Sequence, residues 1–120
     1  MGNRLHSAIK HEVIYSENSD FNWLSDIINP IIDNLAEYDC SYDADDICYA
    51  NSISANRTNL LNNLDKIINP NDEWEFQDDL DYQIKRIEDN GITREVLYNK
   101  LKILIEQSDS RCKNVYFAWF

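Results

Sequence analysis

Residues 93–120 read TREVLYNKLKILIEQSDSRCKNVYFAWF, and a change of period inside this stretch decides the fold class. Val96, Leu97, Leu101, Leu104 and Ile105 recur at three- and four-residue spacing, the period of one helix face. Thr93 stands at the N-cap position, where its hydroxyl accepts from a first-turn N–H that has no helical partner. After a polar connection, Cys112 to Phe120 reads as a strand, with Val115, Tyr116, Phe117, Ala118, Trp119 and Phe120 apolar on both faces. A strand of that kind must be covered on both sides, or use one side for a partner.

Working backwards, Asn90-Gly91 is a helix stop, because glycine reaches the left-handed conformation that ends helices. The helix it closes carries Phe76, Leu80, Ile84 and Ile87 on one face, with Asp81 and Lys85 spaced as an i, i+4 pair. Ser54 to Ile68 has helical spacing through Leu60, Leu61, Leu64, Ile67 and Ile68, and Asn69-Pro70 ends it. Ile47 to Ile53 reads as a short strand, and Asp39 to Asp46 as an acidic connection. Phe21 to Tyr38 is an amphipathic helix with Ser19 or Asp20 as its cap. Pro30 falls inside its apolar stripe and should kink or split it. Arg4 to Tyr15 alternates with period two and reads as one strand.

The order is β-α-β-α-α-α-β. It predicts a single α+β domain over residues 1–120, with a small, mainly antiparallel three-stranded sheet packed against helices. The heptapeptides LSDIINP (24–30) and LDKIINP (64–70) match at five positions. No third copy appears, and repeat arrays need about three units.

At 120 residues the chain should bury roughly two-thirds of the surface its unfolded form exposes. Three Trp, seven Tyr and four Phe separate it from disordered acidic tails, which are poor in aromatics. No signal peptide or membrane-length apolar run is visible, so the expected location is the cytoplasm of a bacterium or phage-infected cell. Cys40, Cys48 and Cys112 make an odd count, which predicts free thiols.

Charge carries the functional signal. The net charge is −11, and no Lys or Arg occurs in residues 11–56 or 67–84. Those two segments hold 16 of the 22 acids. Residues 1–84 carry −13 and residues 85–120 carry +2. The chain also holds 15 Asn and 15 Ile, residues that share AT-rich codons with Lys, yet only six Lys. That imbalance suggests selection for acidity. Direct nucleic-acid binding is disfavoured, because phosphate contacts need Lys and Arg clusters. The complement of such a surface is basic protein.

Catalytic signatures are missing. Two glycines cannot build a phosphate-cradling loop. Asp39, Ser41, Asp43 and Asp45 alternate as in a calcium loop but lack its glycine and terminal Glu. His6 and His11 are the only histidines, and no zinc-type ligand pairing or nucleophile–base spacing accompanies them. No catalytic residue, metal or cofactor is therefore expected.

In size, charge, residue bias and lack of catalytic motifs, the chain resembles small phage-borne antagonists of host defence, such as anti-CRISPR and anti-restriction proteins. It resembles equally the immunity proteins that neutralise nuclease toxins. The resemblance implies a non-enzymatic inhibitor that docks onto a basic surface of a nucleic-acid-handling enzyme. The expected partner-binding residues are Asp39, Asp43, Asp45, Asp46, Asp72, Glu73, Trp74, Glu75, Asp78, Asp79 and Asp81. Trp74 is the expected anchor, as an aromatic ringed by charge. The alternative is an assembly or adaptor protein that forms a homodimer through residues 115–120.

Overall fold

The computed structural model describes residues 5–9, 12–14, 24–41, 51–108 and 110–119. Its strands are β1 (Leu5–Ile9), β2 (Glu12–Ile14), β3 (Cys40–Ser41), β4 (Asn51–Asn56) and β5 (Asn114–Trp119). They form one antiparallel sheet in the order β2-β1-β5-β4-β3. The helices are α1 (Ser25–Leu35), α2 (Arg57–Asn63), α3 (Gln77–Asp89) and α4 (Arg94–Gln107), with a 3₁₀ turn over Leu64–Ile67 after α2. The α+β class and the β-α-β-α-α-α-β order hold. The three expected strands are the central three, and short β2 and β3 extend the sheet at its two ends.

The core lies between one sheet face and the helices. Ile53 stands opposite Phe117 and Ala55 opposite Val115, and all four are buried. Onto this face α1 brings Ile28, Ile31, Ile32 and Leu35, α3 brings Leu80, Ile84 and Ile87, and α4 brings Leu97, Leu101 and Leu104. Each such side chain contributes roughly 1.5–3 kcal/mol by leaving water. β5 is central and paired along both edges, to β1 and β4. Over residues 116–119 both backbone edges are paired, so self-association through them would use a sheet face.

Local signals hold where the partner is close in sequence. Thr93 Oγ1 accepts from Val96 N (3.3 Å), and Gly91 takes φ +86° just beyond α3. Other expectations need correction. The stretch expected as one strand to Tyr15 folds back on itself, pairing Ser7 with Ile14 and Ala8 with Val13. In the described residues the second expected strand runs on past Ile53 to Asn56, and α2 begins later than expected, at Arg57 behind an Asn56 cap. Pro30 does not split α1. The hydrogen bond it removes would end on Asp26, an exposed residue in the first turn, where water can replace it. Val96 is exposed, and so is Leu61 of the α2 stripe. Asp81 bonds to Arg94 and Gln77 rather than standing as a helix-surface pair with Lys85. Cys40 and Cys112 are free thiols. Ser19, Asp20, Ile47 and Cys48 lie outside the described residues.

Arg57, the first base after the long base-free segment, is tied into the chain's closure. Its Nε donates to Cys112 O (3.0 Å) and its guanidinium to Ser108 Oγ (2.8 Å). Among the described residues, no helix is long and apolar enough to cross a membrane.

Candidate functional site

Acidic and aromatic side chains meet where the end of α1 packs against the start of α3. α1 ends in two left-handed residues, Glu37 (φ +54°) and Tyr38 (φ +62°). Glu37 N donates to Asn34 O (3.0 Å) and Tyr38 N to Asp33 O (2.8 Å). This is the Schellman closure, which usually places glycine where Glu37 stands. A side chain in that conformation costs about 1 kcal/mol. Glu37 offsets this cost, because its Oε2 accepts from the buried Asn63 Nδ2 (2.7 Å), which also donates to Leu35 O (2.8 Å).

The turn carries Tyr38 out of the apolar stripe of α1, and 57% of it is exposed. Its ring meets Phe76 edge-on at 5.2 Å, and Phe76 meets Trp74 at 5.5 Å. Lys66 Nζ lies 4.5 Å over the Trp74 ring. The three rings thus run inward from an exposed Tyr38 to half-buried Phe76 and Trp74, the latter packed on the core.

Two carboxylates flank Tyr38. Asp79 Oδ2 accepts from Asn34 Nδ2 (2.8 Å), and that amide also donates to Pro30 O (2.9 Å). Asn34 is fully buried, and its Oδ1 has no partner. Asp33 Oδ1 accepts from the Cys40 thiol (2.7 Å). Desolvation, followed by the charges of Asp79 and Asp33, raises the Tyr38 hydroxyl above its ordinary pKa. Burial, with the hydrogen bond to Asp33 next, pushes the Cys40 thiol up to about 12. Cys40 is therefore protonated at neutral pH and is not a nucleophile there.

The expected partner-binding residues divide. Asp39 is exposed and accepts from Asn56 Nδ2 (2.8 Å). Asp72, Glu73, Glu75 and Asp78 are exposed, and Asp78 and Asp79 sit in the first turn of α3, where negative charge suits the helix dipole. Asp79 is exposed too, but it and the half-buried Asp81 also have structural partners. Asp81 Oδ1 accepts from Gln77 Nε2 (2.9 Å) and pairs with Arg94 (3.3 Å). Asp43, Asp45 and Asp46 lie outside the described residues.

No protein-family model, curated protein or solved structure matches the chain. The corner is therefore read from its own chemistry. Its aromatic and acidic side chains suit contact with a cationic surface. Trp74 is half-buried, and its Nε1 is buried without a partner. The ring that faces solvent is Tyr38, which sequence reasoning placed at the end of a core stripe. Only the left-handed turn separates the two outcomes, and neither Glu37 nor Tyr38 is a residue that advertises one.

Proposed function

We propose that this chain is a non-enzymatic binding protein that docks an acidic face onto a basic surface of a nucleic-acid-handling enzyme, as an inhibitor. Phage anti-defence proteins and nuclease-toxin immunity proteins are the functional classes that such a surface fits. One observation carries the reading. The packing of α1 on α3 joins acids from both base-free segments, with Asp33, Glu37 and Asp39 on one side and Asp79 on the other, around the exposed Tyr38. Charges so arranged raise the encounter rate with a basic groove, while buried anchors set the lifetime of the complex. Inhibition requires competition, so nucleic acid and this protein should exclude each other from the partner.

The test is capture from host cells at low and high salt, followed by competition with nucleic acid for the retained protein. Retention that weakens with salt and yields to nucleic acid supports the reading. Retention indifferent to both contradicts it.

A further inference from the structure

Of the 15 asparagines, Asn90 alone precedes a glycine, Gly91. The pair closes α3, and both residues are exposed. An asparagine carboxamide carbon is open to attack by the backbone nitrogen of the next residue, which closes a succinimide ring. A side chain on that next residue hinders the closure, and glycine has none. The space beside Gly91 is open as well, since an added Cβ would meet no atom within 4 Å.

The fold holds both reacting groups back. Gly91 N donates to Glu88 O (2.9 Å) and Ile92 N to Ile87 O (3.3 Å), the two bonds of a Schellman closure. The attacking nitrogen is therefore engaged. So is the Asn90 carboxamide, whose Nδ2 donates to Arg86 O (2.9 Å). Ile92 seals the closure by packing against the core, as an apolar residue just beyond such a glycine commonly does. Helix ends open more readily than the core they flank. Fraying of the last turn of α3 breaks these bonds and frees the two groups to meet.

We propose that Asn90 is a self-modification site, gated by the C-terminal closure of α3, at which the folded chain converts asparagine to isoaspartate and aspartate. Gly91 N bonds to Asn90 Cγ, the Cγ–Nδ2 bond breaks, and ammonia leaves with the amide proton of Gly91. Water then opens the ring. Cleavage between Gly91 N and the main-chain carbonyl carbon of Asn90 gives isoaspartate, and cleavage between Gly91 N and Cγ gives aspartate. Either product adds negative charge beside Glu88 and Asp89 at a helix C-terminus, where the dipole disfavours it. Neither keeps the donor to Arg86 O. Isoaspartate also inserts the β-carbon into the backbone, which shifts Gly91 N and Ile92 N off their acceptors. Conversion thus loosens the join between α3 and α4, and nothing in this chemistry depends on a partner.

The experiment ages the purified full chain at mildly alkaline pH, folded and in guanidinium chloride, and follows amide loss by mass spectrometry with peptide mapping. Fragmentation that separates isoaspartate from aspartate assigns the residue. Conversion is expected first at Asn90, and roughly tenfold or more slowly in the folded chain than in denaturant. Ile92→Ala removes the packing that seals the closure. It should speed conversion of the folded chain about two- to fivefold and leave the rate in denaturant unchanged, with circular dichroism checking that the variant folds. If it does not fold, the two rates of the unaltered chain decide alone. Conversion first at another asparagine, or none at Asn90 while the chain is folded, overturns the site. Equal rates with and without denaturant, or a folded Ile92→Ala chain no faster than the unaltered one, overturn the gate.

Discussion

Within one acidic run, DEWEFQDDLD (72–81), five of the six acids are exposed, yet two of the six, Asp79 and Asp81, are also bonded into the fold. Asp78 and Asp79 are neighbours in sequence, yet about 100° apart around α3. Both are exposed, but Asp79 also accepts from a buried amide 45 residues earlier in the chain. Composition treats these residues alike. The difference teaches that like charges in one run need not be alike: Asp79 and Asp81 tie the start of α3 to Asn34 and Arg94, while Asp72, Glu73, Glu75 and Asp78 stand exposed beside them. Substitutions that separate the two groups test this division.

The largest effect should come from Asp79→Ala. It removes one of the two acceptors of the fully buried Asn34 Nδ2, and a loss of about 2 kcal/mol in urea denaturation is expected. A loss below about 0.5 kcal/mol would mean that Pro30 O alone satisfies the amide. For the same reason Asp79 is unsuited to charge-reversal tests of binding.

Arg94→Ala should come next, at about 1 kcal/mol by the same assay. It breaks the pair with Asp81 and the bond to Ile67 O (2.8 Å). The pair is about one-third exposed, at 29% and 35%, so solvent screening limits its strength. A loss as large as that of Asp79→Ala would show that the tie to Ile67 O governs how α4 docks.

The smallest effect on stability belongs to the double change Asp72→Lys with Asp78→Lys. Relief of self-repulsion works against the lost dipole interaction of Asp78, and the net change should stay within about 0.5 kcal/mol. The melting temperature of the unaltered chain should rise with added salt, and that of the double variant should rise less. Equal salt responses would show that Asp72 and Asp78 lie too far from the other acids to repel them.

The sequence made local features legible. The Thr93 cap and the Gly91 stop both follow from contacts a few residues apart. What it hid depends on distant partners. LSDIINP and LDKIINP differ at two positions, yet the first opens α1 with Pro30 inside it and the second forms a 3₁₀ turn that ends before Pro70. After Pro30 come Ile31, Ile32 and Leu35, which bury against α3 and extend the helix. After Pro70 come polar residues with nothing to bury. The fold at β1 and β2 was equally hidden, since Lys10-His11 carries no glycine or asparagine turn signal. The candidate site was half legible. Its acids could be counted, but Tyr38 was indistinguishable from a core residue until the chain turned left-handed before it.

The most direct test of the acidic-face account is the association rate with the captured partner, measured for the unaltered chain and for Asp72→Lys with Asp78→Lys at two salt concentrations. The account predicts that charge reversal and added salt each slow association by about tenfold or more, with little change in the dissociation rate. Association that ignores both would mean that the acidic corner is only a solvated surface, and the proposed function would be wrong.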